Sequence, residues 1–457
     1  VTNTEYLIDR NRIRTLSIDQ FISEQTVLID KIEGEENLAF KSNRLFDYFS
    51  ILPQYDTLDT YYEFLELYLP EFSFEIPSDV GNLHRSLSLQ KLRLLENVGE
   101  ATLPDRLKNL EEISLDDENY YLKLLAPIAL FSRISDWEKY KWIVLEMINF
   151  SIENGKSEVT AFACLAYAKY MICRYENIQE AKDLAEYAIA EIKKSKDKWL
   201  IRRFLSDYAF DIMTWTEKTE QSITVIEEAY LLDDPEDTAF VNKAITRLFQ
   251  LYVFSGHNFE EAFSKVNNKL SLTLEDIEML PQVRSVLELL QLKSLTEKSS
   301  LEKVLMILDK EPSLYEGNLL HPMLLLLKVI HLVRNKESEE NVLEAIRRIL
   351  DRFKYWAGYS PNIFQGWVYF IEAEMRWFID EIDKSDDLYI KAKDFMTSTV
   401  NDLKCLVSLR RLSQWYEHEG VSPKSQLLFD QTKSLYLEFG SQEEVDALIN
   451  RFDNRFE

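Results

Sequence analysis

The sequence predicts an all-α protein, and three observations carry that prediction. Only 10 glycines and 11 prolines occur in 457 residues, too few for the turns and bulges that an all-β fold of this length uses. Apolar residues recur at spacings of three and four over stretches of roughly 12 to 20 residues, the signature of amphipathic helices. The breaks between those stretches carry the scarce Gly, Pro and Asn, and no strand-like run competes with them.

Taken in order, residues 1–114 read as a less regular N-terminal helical region and residues 115–457 as a helical-repeat array packed against it. Breaks are expected at Glu96 to Pro104 and at Glu311 to Pro322, the second through Pro312, Gly317 and Pro322. From Asp136 to Asn154, the residues Trp137, Tyr140, Ile143, Val144, Met147 and Phe150 form one apolar stripe. Asn154-Gly155 then stops the helix. Ser157 precedes a helix over Val159 to Tyr175 that is apolar on most sides, with Ala161, Phe162, Ala163, Leu165, Ala166 and Tyr167. Such a helix packs against neighbours on two faces.

The following helix carries Ala181, Leu184, Ala185, Ala188 and Ile189, small residues that let a partner helix approach closely. Glu228-Ala229, Glu261-Ala262, Glu344-Ala345 and Tyr389-x-x-Ala392 repeat the theme in the second helix of successive pairs. The period is loose, about 35 to 45 residues, within the range of helical-repeat proteins. The expected architecture is therefore a right-handed α-solenoid of antiparallel helix pairs, tetratricopeptide-like, with degenerate repeats that lack the full aromatic, Gly and Pro signature.

Charge narrows the partners. Lys and Arg number 53 against 79 Asp and Glu, a net charge of −26, which repels phosphate backbones and anionic headgroups. Nucleic acid is not an expected partner. No uncharged apolar run reaches the roughly 18 residues that span a bilayer, and no charged-then-apolar leader opens the chain, so neither membrane insertion nor secretion is expected. Cys164, Cys173 and Cys405 form no paired framework, which points to a reducing, cytoplasmic setting. The first residue is Val1 rather than Met, and a longer parent chain is expected.

Motifs that carry chemistry are missing from the sequence. Gly358 and Gly366, the closest glycine pair considered, fit neither a dinucleotide fingerprint nor a P-loop. His84, His257, His321, His331 and His418 are too dispersed for a zinc helix. No G-x-S-x-G elbow occurs, and no cysteine sits in a nucleophile signature. Asp116-Asp117-Glu118 and Asp233-Asp234 fall at helix starts or turns, where acids favour the dipole. No catalytic, cofactor-binding or metal residue is assigned, no cofactor is expected, and the chain is not expected to be an enzyme.

Aromatic residues are densest over Tyr355 to Phe378, including Phe364, Tyr369 and Phe370. Most belong to packing between helix pairs. Tyr355, Trp356, Tyr359, Trp367 and Trp377 are the candidate recognition surface, since aromatics anchor interfaces well.

Several blocks add a resemblance. Tyr121-Leu-Lys-Leu-Leu-Ala-Pro-Ile-Ala-Leu130, Lys141-Trp-Ile-Val-Leu-Glu-Met-Ile-Asn-Phe-Ser151, Asn154-Gly155, Ala161-Phe162 and Tyr167-Ala-Lys-Tyr170 follow one another in order. Ala373-Glu374, Leu388-Tyr389, Ala392 and the closing Tyr436-Leu-Glu-Phe-Gly440-Ser-Gln-Glu-Glu-Val445-Asp-Ala-Leu448 complete them. Together they resemble the tetratricopeptide-like region of very large signalling proteins, where a kinase-like domain and a STAND-type ATPase precede the array and a GAF plus histidine-kinase module often follows. The departures are Ala181 and Ala185, Met171, Phe439, Ser441, Glu444 and Leu409. The resemblance implies a regulatory scaffold that docks an adjacent domain of its own chain or a partner's protein segment. The alternative is a sensor that binds a small effector in a groove of the solenoid. The sequence assigns no oligomeric state.

Overall fold

The computed structural model describes Gln20 and residues 76–77, 79–113, 119–173, 177–195, 198–217, 219–232, 238–254, 259–270, 320–335, 339–395, 401–438 and 446. All regular structure among them is helical, as the sequence predicts; the single β-bridge joins Glu112 to Lys156. The chain forms two compact units that interleave along the sequence. The first takes Val1–Ile172, Glu180–Tyr208 and Leu232–Val241, and the second takes Cys173–Gln179, Ala209–Leu231 and Asn242–Glu457.

In the first unit, α1 (Val80–Val98), α2 (Leu103–Lys108), α3 (Asn119–Ser135) and α4 (Trp137–Asn154) come first. The Asp79 carboxylate accepts from the Gly81 and Asn82 amides, and Asp136 does the same for Glu138 and Lys139, so each caps its helix. The break expected at Glu96 to Pro104 is present: α1 ends at Gly99, and Thr102 starts α2 with Pro104 in its first turn. Gly155 stops α4 at φ 117°, a conformation L side chains avoid. A Cβ there would also meet the Ile113 nitrogen at 3.0 Å, because residues 111–113 pair with the backbone of Lys156.

Helices α1 and α4 pack in parallel, and their contacts keep nearly one register. Trp142 Nε1 donates to Ser86 Oγ at 2.7 Å, Gln90 Nε2 to Glu146 Oε2 at 2.6 Å, and Asn97 Nδ2 to Glu153 Oε1 at 2.9 Å. Beyond them come α5 (Glu158–Cys173), α6 (Ile178–Ile192) and α7 (Lys198–Tyr208). In α5 buried residues lie all round, from Val159 and Ala161 through Cys164, Ala168 and Ile172, as its apolar sequence requires. Tyr140 reaches across to donate to the Ala166 carbonyl at 3.0 Å.

After Cys173–Gln179, the second unit takes a π-helical segment, Ala209–Met213, that runs on to a last turn at Thr214–Thr216. It continues through α8 (Thr219–Leu231), α9 (Thr238–Phe254), α10 (Phe259–Leu270), α11 (Leu320–Asn335), α12 (Glu339–Tyr359), α13 (Pro361–Phe378), α14 (Ile382–Phe395), α15 (Asn401–Glu419) and α16 (Pro423–Glu438). Pro322, expected to interrupt the chain, lies in the first turn of α11 instead. A proline removes no hydrogen bond there, because first-turn amides have no intrahelical acceptor. The rest of the expected break, with Pro312 and Gly317, lies outside the described residues, as do Asp116-Asp117-Glu118 and Asp233-Asp234.

One pattern recurs in four helices: a small residue, a second interior residue four positions on, and a small residue three beyond that. It is Ala181, Ala185, Ala188 in α6 and Ser222, Ile226, Ala229 in α8, then Ser385, Tyr389, Ala392 in α14 and Ser425, Phe429, Thr432 in α16. None of the twelve side chains is more than 2% exposed. The last two copies repeat at forty residues, with Lys384-Ser385 against Lys424-Ser425. The turns that precede them repeat as well, Asp380 at φ 60° against Gly420 at φ 67°. The hairpin α13–α14 is therefore echoed by the hairpin α15–α16.

Candidate functional site

A dense polar construction in the described structure sits where α13, α14, α15 and α16 meet. Helix α13 starts at Pro361 after Ser360 and buries Phe364, Trp367, Phe370 and Ile371 along one side. That stripe also places Glu374 inside, with no exposed surface. A buried carboxylate requires partners, and two other helices supply them. Arg410 of α15 donates from Nε to Oε1 at 2.8 Å and from Nη2 to Oε2 at 2.6 Å. Tyr389 of α14 donates its hydroxyl to Oε1 at 2.8 Å.

Burial alone would lower the Arg410 pKa, but the charge and hydrogen bonds of Glu374 raise it above its ordinary value. Burial, with Glu374 beside it, likewise holds the Tyr389 phenol well above its usual range. Neither group titrates near neutral pH. A fork-on-fork pair of this kind fixes the mutual position of three helices more than it adds net stability, since desolvation offsets much of the attraction.

A second knot lies one turn away. Asp386 accepts from Arg411 Nε at 2.5 Å and Nη2 at 2.8 Å, from Trp415 Nε1 at 2.9 Å and from Lys424 Nζ at 2.9 Å. Burial pushes its carboxyl up, but those donors outweigh it and bring the pKa down to about 2. The Lys424 ammonium also stands 3.8 Å above the Trp415 ring. Ser385, beside Asp386, donates to the Ala373 carbonyl at 2.9 Å and ties the start of α14 to α13. Next to this knot, a cleft of about 160 Å³ opens between α14, α15 and α16, with Ile390, Val407 and Leu428 among its walls.

The five aromatic candidates do not form one surface. Trp356 is fully buried against Phe353, Phe364 and Trp215, and Trp367 is 2% exposed against Phe353 and Phe364. These two are core residues, which corrects the expectation that they line a recognition surface: apolar area of that size is most stable away from water. Tyr359 is 45% exposed and packs on half-buried Tyr355, with ring centroids 5.1 Å apart. Trp377 is half-buried and meets His418, with ring centroids 6.3 Å apart.

Sequence reasoning missed Glu374, Arg410 and Asp386. The available signal was a charge inside an apolar stripe, as in Trp367-Val-Tyr-Phe-Ile-Glu-Ala-Glu374. Nothing in the sequence says which of the many acids and arginines pair, because the partners lie 36 and 25 residues apart on different helices.

Burial shifts two further groups away from reactivity. Burial, helped by Arg352, lowers the His321 pKa to about 4, leaving a neutral imidazole at neutral pH. Burial pushes the Cys164 thiol up and makes it a poor nucleophile. Among the described residues, no group of His, Cys, Asp and Glu is placed to hold a metal ion, and no helix is long and apolar enough to cross a membrane. No known family profile, no curated protein and no solved structure matches this chain.

Proposed function

We propose that the chain is a non-catalytic, tetratricopeptide-like scaffold that recognises a protein segment, either in a partner or in an adjacent domain of its own parent chain. The observation that carries this reading is the buried small-large-small pattern of α8, α14 and α16 and its all-alanine counterpart in α6, with the forty-residue echo of α13–α14 in α15–α16. Helix hairpins that repeat in this way bury their cores between neighbours and leave extended surfaces for docking. The cytoplasm is the compartment this reading assigns, in keeping with the buried free thiols of Cys164 and Cys173. The polar knots add to it: Glu374 and Asp386 tie α13, α14, α15 and α16 to one another.

Crosslinking mass spectrometry on the parent protein, with and without ATP, tests the proposal. Crosslinks from these residues to an adjacent domain that change with nucleotide support a relay within one chain. Links to a second protein support recognition in trans. If the chain links only to itself under all conditions, the scaffold reading fails.

A second reading, a sensor for a small effector, draws on the cleft beside Asp386. A metabolite that binds the folded chain raises its melting temperature, so a thermal-shift screen without a stabilising compound counts against it.

A further inference from the structure

We infer that the cleft between α14, α15 and α16 is a binding site for a carboxylate carried on a short branched apolar chain. Its walls and its polar groups divide that ligand between them. Ile390, Val407 and Leu428 supply apolar surface, and the volume of about 160 Å³ suits a group the size of one aliphatic side chain.

The polar lining carries two cations, Lys393 and Arg411, and one anion, Asp394. Asp386 occupies the Nε and Nη2 edge of Arg411, so Nη1 keeps its hydrogens for another acceptor. Lys393, Ser408 and Gln431 also line the cleft and make no hydrogen bond or ion pair among the described residues. An ammonium, a hydroxyl and an amide therefore stand ready beside a guanidinium edge. Among the charged residues that line the cleft, Lys393 and Arg411 outnumber Asp394 by one, in a chain of net charge −26. An anion steered away from the rest of the surface meets attraction here. A carboxylate matches the planar edge of the guanidinium.

The ligand chemistry has two sources, a free short-chain acid or the carboxyl terminus of a polypeptide ending in an aliphatic residue. Calorimetric titration of the full chain separates them. The probes are isovalerate, the peptide acetyl-Gly-Gly-Leu with a free carboxylate, and the amide of each. Binding of isovalerate as tight as that of the peptide assigns the site to free acids. Binding of the peptide acid alone assigns it to chain termini.

In either case, Lys393→Gln is expected to weaken binding about tenfold, and Gln431→Glu, which places a negative charge at the mouth, by at least as much. Both positions are solvent-accessible, and unchanged melting curves verify that the variants fold. The inference is overturned if neither acid binds, if the amides bind as well as the acids, or if both variants bind like the parent. These titrations need no partner protein, so they succeed or fail independently of the scaffold reading.

Discussion

Among the described residues, Arg93 and Arg410 each join helices through glutamates, and they live in opposite surroundings. In the first unit, Arg93 of α1 bridges Glu146 and Glu153 of α4 at 2.8 and 2.5 Å with 35% of its side chain in water. In the second, Arg410 meets Glu374 with 5% and 0% of the two side chains exposed. The chemistry is the same, but water weakens the first pair and is excluded from the second. A half-exposed pair trades solvent contacts for protein contacts almost evenly, whereas a buried pair makes each partner depend on the other. The seam between α1 and α4 is therefore expected to tolerate change, and the knot joining α13, α14 and α15 is not.

That contrast can be broken most sharply at Glu374. Glu374→Ala leaves the Arg410 guanidinium buried without its carboxylate, and a loss of about 3 to 5 kcal/mol in unfolding free energy is expected from denaturant titration. Replacing Glu374 and Arg410 together with Met and Leu should recover most of that loss. If the single variant is as stable as the parent, the knot has no structural role.

Acid sharpens the same contrast. The folded-state pKa of Asp386 lies near 2, below its ordinary value of 3.8. Its contribution to stability is present in full above about pH 4 and is lost as the pH falls toward 2. Hydrogen exchange followed by mass spectrometry over that range should show α14 to α16 losing protection, and Asp386→Asn should flatten the dependence.

The two echoed turns offer a smaller test. Gly420 at φ 67° has no atom within 4 Å of a built Cβ, so Gly420→Ala costs backbone conformational energy alone, about 1 kcal/mol. Asp380→Gly at φ 60° should gain ~0.5 kcal/mol, because Asp tolerates the left-handed region less well than Gly. A lower melting temperature for Asp380→Gly, or a higher one for Gly420→Ala, would contradict the ranking of the two residues. A small effect is also expected at Arg93→Ala, within about 1 kcal/mol despite its two ion pairs; a loss as large as that at Glu374 would erase the distinction between the regions.

Much of the local structure was legible in the sequence. Asp136 and Asn154-Gly155 bound α4 as expected, since a capping carboxylate and a residue free to adopt positive φ act within a few positions of themselves. The apolar α5 and the alanine face of α6 were legible for a similar reason, as helical spacing alone puts those residues on shared faces. Pro322 was misread because a proline breaks a helix interior yet fits its first turn, and the difference depends on where the helix begins.

The sequence by itself determined that the chain is helical, where several helices start and stop, and which faces are small enough for close packing. These follow from backbone geometry and from contacts within one or two turns. Only the tertiary structure decided that Trp356 and Trp367 face inward while Tyr359 meets water, because helices rich in aromatics offer more than one apolar face. It also decided that Glu374 pairs with Arg410, and Asp386 with Arg411, Trp415 and Lys424. Such partners are chosen by how helices pack: the energy of a buried charge depends on what surrounds it in space, and its neighbours in sequence do not carry that information.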